Sequence, residues 1–95
     1  SGGENVYPME VESLLAEHPA VHEACVIGVP DEAFGQRLAA FVVRRPGASL
    51  SAEEVTDYVR AHRARHCIPR EVHFVDDLPR NATGKVLARE LRALL

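Results

Sequence analysis

The apolar run within residues 21–29 constrains the fold of the chain, because its composition indicates the type of element it forms. Its apolar core is made of small and β-branched residues: Ala24, Cys25, Val26, Ile27 and Val29. Such a composition is typical of a buried strand. Gly28, Pro30 and Asp31 are expected to supply the turn that follows it. A second strand is predicted from about Leu38 to Arg44, so the fold should contain a sheet.

A capping box gives the clearest helix signal. Ser51 is placed as an N-cap residue, and Glu54 follows three positions later, so each side chain can bond to the other's backbone amide. Leu50 and Val55 are placed for a hydrophobic staple across the same start. These residues predict a helix from Ser51 to about Arg65.

Weaker patterns predict the remaining elements. Apolar residues spaced i, i+3 and i+4 indicate a helix over about 8–17, and residues 71–75 read as a short third strand after Pro69. Thr83 is expected to cap a last helix. The leucines expected to share one face of that helix are Leu87, Leu91, Leu94 and Leu95. The order α-β-β-α-β-α predicts an α+β fold, a small three-stranded sheet with helices packed on it.

The composition limits the functional classes. With 95 residues, 46% of them hydrophobic, the chain should be one globular domain, and a net charge of −3 argues against general nucleic-acid binding. No apolar run approaches the roughly 18 residues that cross a bilayer, and the chain does not open like a signal peptide, so no transmembrane segment and a cytoplasmic location are expected. Cys25 and Cys67 are too few for a disulfide framework and are expected to be free thiols.

The only lysine, Lys85, ends a polar loop over residues 78–85. The loop is not a Walker A motif, because Pro79 stands where that motif needs glycine and Val86 where it needs serine or threonine. If the loop runs into a helix N-terminus, backbone amides, the helix dipole and the Lys85 ammonium together favour an anion. The alternative interpretation is a solvated surface lysine beside a helix cap.

Two further candidates are weaker. Adjacent glycines Gly2 and Gly3 let a backbone approach a ligand closely, or they form a simple turn. His62, His66 and Cys67 have a spacing that can hold zinc, but no second pair of ligands matches it, and arginines crowd the same stretch. We therefore predict no metal site.

Three motifs together resemble the C-terminal domain of the adenylate-forming acyl-CoA synthetases, the AMP-binding enzyme family. They are the segment Ser-Gly-Gly-Glu-Asn-Val-Tyr-Pro at residues 1–8, Gly-Val-Pro-Asp at 28–31, and Leu-Pro-Arg-Asn-Ala-Thr-Gly-Lys at 78–85. The resemblance covers essentially all 95 residues in order. It implies that residues 1–95 are the small mobile domain of a two-domain ligase, whose large N-terminal domain is a separate part. By the same resemblance, that part is expected to bind the carboxylic acid and ATP with Mg²⁺.

The resemblance also implies roles for particular residues. Lys85 matches the lysine that enters the active site when the acid is adenylated. Gly2 and Gly3 match the loop that lines the pantetheine tunnel of coenzyme A after the domain rotates, so they would be the cofactor-binding residues. The isolated domain is expected to be inactive, because nucleotide and acid bind mainly to the N-terminal domain.

The chain departs from the family pattern in one segment, and alternatives to a fatty-acid–CoA ligase stay open. Family members often carry an aromatic-Lys-x-Pro segment before the third strand, where this chain has His66-Cys67-Ile68-Pro69, so any role of that other lysine is in doubt. The loop at residues 1–6 looks more like that of fatty-acid and related CoA ligases than like that of peptide-synthetase adenylation domains. The alternatives are a stand-alone interaction module derived from such a domain and the adenylation domain of a peptide synthetase.

Overall fold

The computed structural model describes residues 8–33, 35–62 and 67–95, which form three helices and three strands. The elements are α1 (Pro8–Ala16), β1 (Val21–Asp31), β2 (Gly35–Arg44), α2 (Ala52–His62), β3 (Glu71–Phe74) and α3 (Ala88–Arg92). The predicted α+β class and element order are confirmed. Among the described residues, no helix has both the length and the apolar character needed to span a bilayer.

The sheet has the order β1-β2-β3 and mixes two kinds of pairing. β1 and β2 are antiparallel, whereas β2 and β3 are parallel. An antiparallel pair can be joined by a short turn, but a parallel pair needs a crossover, which α2 supplies here. An ion pair also joins β2 to β3, with Arg37 Nε lying 2.6 Å from Glu71 Oε2.

Both faces of the sheet are covered, and the central strand β2 contributes to each. Alternate side chains of a strand point to opposite faces, so two separate cores form. The first core packs beneath α1 and α2 and includes Val11, Leu15, Val26, Ala40, Val42, Val55 and Val59. The second core lies on the opposite face and consists of Cys25, Ile27, Ala39, Phe41, Val43, Leu78 and Leu91. The second core therefore joins the sheet to the C-terminal segment that carries Lys85.

The capping box forms as predicted at the start of α2. The Glu54 amide donates to Ser51 Oγ at 3.1 Å, and the Ser51 amide donates to Glu54 Oε1 at 3.0 Å. Leu50 and Val55 are both buried in the first core, as the predicted staple requires. The described part of α2 ends at His62, and the predicted continuation towards residue 65 lies outside the described residues.

The turn expected at residues 28–31 is wrong. β1 continues through Gly28 and Pro30, which pair with Leu38 and Gln36 of β2. A proline is tolerated there because β1 lies at an edge of the sheet, where its missing amide removes no ladder bond. The turn begins one step later, where Asp31 Oδ1 accepts a hydrogen bond from the Ala33 amide at 2.8 Å.

The last helix is shorter than predicted, and Thr83 does not cap it. α3 has five residues and begins after Leu87, which makes no side-chain capping bond. Leu91 is fully buried, but Leu94 is 63% and Leu95 is 44% exposed, so the four leucines do not share a buried face. The helix starts late because the amides of Thr83 and Lys85 donate to the Asn81 side chain and form a turn there.

Candidate functional site

The segment that carries Lys85 is a tight hairpin over residues 79–87, called the lysine hairpin below. Its two arms meet in an antiparallel bridge between Arg80 and Val86. Its base is closed by the Leu87 amide, which donates to the Pro79 carbonyl at 2.8 Å. The preceding residue, Leu78, is buried in the second core, against which Val86 also packs. Apolar contacts on both sides thus attach the hairpin to the sheet.

One side chain organises the tip of the lysine hairpin. Asn81 Oδ1 accepts from the amide and the hydroxyl of Thr83, at 3.0 and 2.7 Å, and from the Lys85 amide at 3.0 Å. The Asn81 amide in turn donates to the Lys85 carbonyl at 2.9 Å. Asparagine commonly folds a turn in this way, by accepting bonds from backbone two or more residues ahead. The backbone of Lys85 is therefore held at both its amide and its carbonyl.

Gly84 completes the turn. Its amide donates to the Asn81 carbonyl at 3.0 Å, and its φ of +87° lies in the left-handed region that favours glycine. Asparagine at the first and glycine at the fourth position are the residues that such turns prefer. The sequence pattern Asn-x-x-Gly therefore explains why the chain reverses immediately before Lys85.

Lys85 itself is exposed at the end of this turn. Over the described ranges its ammonium group has neither a hydrogen bond nor an ion pair, so it can meet an external anion. The expected placement beside a helix N-terminus is wrong, since α3 begins only at Ala88. Attraction for an anion therefore comes from the ammonium charge on a flexible stem and not from a helix dipole.

Arg80 links the hairpin tip to the sheet, a contact that sequence reasoning missed. Its Nη1 donates to the Gly84 carbonyl at 2.8 Å, while its Nη2 bonds to the carboxylate of Glu23 in β1. The partners are 57 positions apart in sequence. No local pattern connects residues at that separation, and only the sheet topology brings them together.

The other predicted site residues are less well defined. Gly2, Gly3 and His66 lie outside the described residues. The ring of His62 bonds to the Tyr58 carbonyl at 2.8 Å, and Cys67 is buried in the first core. No group of three potential metal ligands occurs within the described parts of the chain.

Within the described ranges, two groups, the Cys25 thiol and the Glu71 carboxyl, have clearly shifted pKa values. Burial raises the pKa of the Cys25 thiol to about 11, and the Glu12 carboxylate adds to the effect. A thiol held in its neutral form is a poor nucleophile. The hydrogen bond from Arg37 holds the pKa of Glu71 below its usual value of 4.5, and His73 contributes in the same direction. Neither Cys25 nor Cys67 forms a disulfide, as predicted.

Comparison with known proteins assigns the family. A sequence profile described as the AMP-binding enzyme C-terminal domain matches residues 10–85, so its match ends at Lys85. The chain belongs to this family, the C-terminal domains of adenylate-forming enzymes. The resemblance read from the three motifs is thereby confirmed.

Curated relatives are CoA ligases. A 2-succinylbenzoate–CoA ligase of Geobacillus sp. (strain WCH70) is 48% identical over 95 residues, which is 100% of this chain and 19% of the relative. A 7a-methyl-1,5-dioxo-octahydroindenyl-propanoyl:CoA ligase of Mycobacterium tuberculosis (strain ATCC 25618 / H37Rv) is 54% identical over 93 residues, or 98% of this chain and 18% of the relative. The chain thus spans about a fifth of the length of these relatives.

Solved structures share the fold closely. ATP-bound MatB from Rhodopseudomonas palustris matches with a TM-score of 0.90 and 44% identity, over 98% of this chain and 18% of that chain. A fatty acyl CoA synthetase of Mycobacterium tuberculosis gives 0.87 and 44%, over 99% and 18%. The amide bond synthetase McbA from Marinactinospora thermotolerans gives 0.91 and 38%, over 96% and 18%. The same small fold therefore occurs in a protein described as a fatty acyl CoA synthetase and in one described as an amide bond synthetase.

Proposed function

We propose that residues 1–95 are the mobile C-terminal domain of a longer ATP-dependent carboxylic acid–CoA ligase. The observation that carries the proposal is Lys85, an exposed ammonium presented by a hairpin with a fixed backbone in a chain of the AMP-binding family. Within the same protein, the partner of residues 1–95 is a large N-terminal adenylation domain. That domain holds most of the contacts to the acid, to coenzyme A and to ATP with Mg²⁺.

Lys85 acts in the first half-reaction. The acid carboxylate attacks the α-phosphorus of ATP, the acyl-adenylate forms, and pyrophosphate leaves. Both reactants are anions, so a cation placed between them offsets their repulsion and stabilises the charge of the transition state. A fixed backbone with a flexible four-carbon stem suits this task, because the stem can reach into a cleft that another domain provides.

Gly2 and Gly3 act in the second half-reaction. The domain rotates, the coenzyme A thiol attacks the acyl carbonyl, and AMP leaves. A backbone without side chains leaves room for the pantetheine arm in its tunnel. On this proposal a Gly2→Leu variant adenylates its acid normally but forms little thioester. Equal loss of both steps would contradict the assignment.

The acid is proposed to be a fatty acid. Support comes from the likeness to the Mycobacterium tuberculosis fatty acyl CoA synthetase. Acyl selection is assigned to the N-terminal domain, so the isolated chain is expected to be inactive. The full-length ligase is proposed to act in the cytoplasm.

The test uses the full-length protein with its native N-terminal part. We expect acid-dependent exchange between ATP and pyrophosphate, strongest with a fatty acid when acids of different chain length are compared, and thioester formation when coenzyme A is added. Failure to exchange with any acid would contradict the proposal. So would exchange that continues undiminished after residues 1–95 are deleted.

The likeness to the amide bond synthetase McbA favours a second candidate, in which an amine replaces coenzyme A as the acceptor. The first half-reaction and the role of Lys85 are the same in both. Product analysis with coenzyme A and with simple amines distinguishes them. A thioester supports the ligase, and an amide without any thioester supports the second candidate.

A further inference from the structure

The peptide group between Gly84 and Lys85 is held on both sides. Its carbonyl oxygen, on Gly84, accepts from Arg80 Nη1 at 2.8 Å. Its amide, on Lys85, donates to Asn81 Oδ1 at 3.0 Å. The plane of this peptide sets the direction in which the Lys85 side chain leaves the backbone. The Arg80 hydrogen bond therefore restrains the orientation of the peptide that precedes the Lys85 side chain.

Arg80 is itself fixed by Glu23. Its planar guanidinium presents donors in a fork, so Nη1 and Nη2 can bind two acceptors at once. The second acceptor is the Glu23 carboxylate, with which Arg80 forms an ion pair. The side chains are only 36% and 27% exposed, so both are partly withdrawn from solvent. This ion pair connects the tip of the lysine hairpin to β1.

An irregularity in β1 places Glu23 on the correct face. Val21 pairs with Arg44 and Glu23 pairs with Val43, so β1 has one extra residue, His22, at a bulge. Val21 packs in the first core, and regular alternation from it would turn residue 23 towards that same core. The bulge shifts the alternation by one position. Glu23 consequently shares the face of Cys25, which lies in the second core beside the lysine hairpin.

We infer that Glu23 is a positioning residue for adenylation, acting through Arg80 to orient the Gly84–Lys85 peptide and hence the Lys85 ammonium. The inference rests on the proposed adenylation role of Lys85. It assigns a function to a residue of the first strand that carries no chemistry of its own. It also explains why a guanidinium, with its two-pronged fork, stands at position 80.

The test compares Glu23→Gln, Arg80→Gln and the double variant in the full-length protein. Adenylation is followed by pyrophosphate exchange, and thioester formation is followed from supplied acyl-adenylate. We expect Glu23→Gln to slow adenylation about tenfold, since small misplacements of a reacting group have effects of this order or larger. Thioester formation should stay within about twofold, because that step does not use Lys85. Glu17→Gln is the matched control, since it removes the same charge from an exposed position at the end of α1, and it should leave both rates unchanged.

The double variant tests whether Glu23 acts through Arg80. If it does, the double variant is no slower than Arg80→Gln alone, because the effects of coupled residues do not add. Multiplied losses would overturn the inference. Unchanged adenylation in Glu23→Gln would overturn it, and so would equal loss of both half-reactions, which indicates general destabilisation.

A Lys85→Ala variant measured in parallel separates the two proposals. If Lys85→Ala adenylates normally, the proposed function fails. If Lys85→Ala is slow while Glu23→Gln matches the wild type, only the inference about Glu23 fails.

Discussion

The side-chain oxygen of Asn81 lies 3.0 Å from the Lys85 amide nitrogen and accepts a hydrogen bond from it. The same oxygen accepts two further bonds from Thr83, so one exposed asparagine satisfies three donors. This arrangement replaces the helix N-terminus that the sequence suggested at this place. It makes the direction of Lys85 a property of a four-residue turn, which local substitutions can test.

Asn81→Ala removes the acceptor of all three bonds. We expect adenylation by the full-length enzyme to fall about tenfold, because the turn then samples other conformations and Lys85 is less often in place. Asn81→Asp keeps an acceptor oxygen at the same position and should retain more activity than the alanine variant. Pyrophosphate exchange measures both. Equal activity of Asn81→Ala and wild type would show that these bonds do not position Lys85.

Gly84→Ala tests the backbone of the same turn. An added Cβ meets no atom within 4 Å, so only the φ of +87° opposes alanine, at a cost of about 1 kcal/mol. Gly47 is a matched control, since its φ is +77° and its surroundings are equally open, but it lies in the turn after β2. Both variants should lose similar free energy of unfolding in denaturant titrations. Only Gly84→Ala should slow adenylation, and an equal slowing in Gly47→Ala would contradict the account.

The Arg37–Glu71 pair should make the stability of the domain depend on pH in acid. The Arg37 hydrogen bond lowers the pKa of Glu71 in the folded state from its usual value of 4.5. The folded state thus favours the carboxylate, and this stabilisation is complete above the unfolded pKa. It is lost as the pH falls through the lower, folded pKa.

Thermal unfolding from pH 7 down to pH 2 measures this effect in wild type and in Glu71→Gln. The wild type should be the more stable at pH 7, by an amount typical of a partly exposed ion pair, up to about 1 kcal/mol. The difference should shrink as the pH falls below 4.5. A difference that stays constant across the range would mean that the ionised carboxylate is not its source.

The parts of the fold that were predictable depend on contacts close in sequence. The Ser51–Glu54 capping box forms as predicted because both partners lie within one helical turn. The turn expected at Pro30 was wrong because a proline is also tolerated on an edge strand, and sequence alone does not say which strand is at the edge.

The candidate site was predictable in position but not in structure. Lys85 stands out as the one lysine in a recognisable motif. The hairpin, in contrast, depends on the hydrogen bond from the Lys85 amide to the Asn81 side chain. The pairing of Arg80 with Glu23 depends on a bulge that reverses the faces of β1. Neither the bulge nor the pairing has a signature within a few neighbouring residues.

On the proposed function, the Lys85 ammonium promotes adenylation and takes no part in the second step. The most direct measurement compares Lys85→Ala with wild type in the full-length protein, assaying pyrophosphate exchange and thioester formation from supplied acyl-adenylate separately. We predict that exchange falls on the order of 10²–10³-fold, as expected for loss of one electrostatic stabiliser. Thioester formation should be essentially unchanged. Exchange at the wild-type rate, or an equal fall in both steps, would contradict the claim.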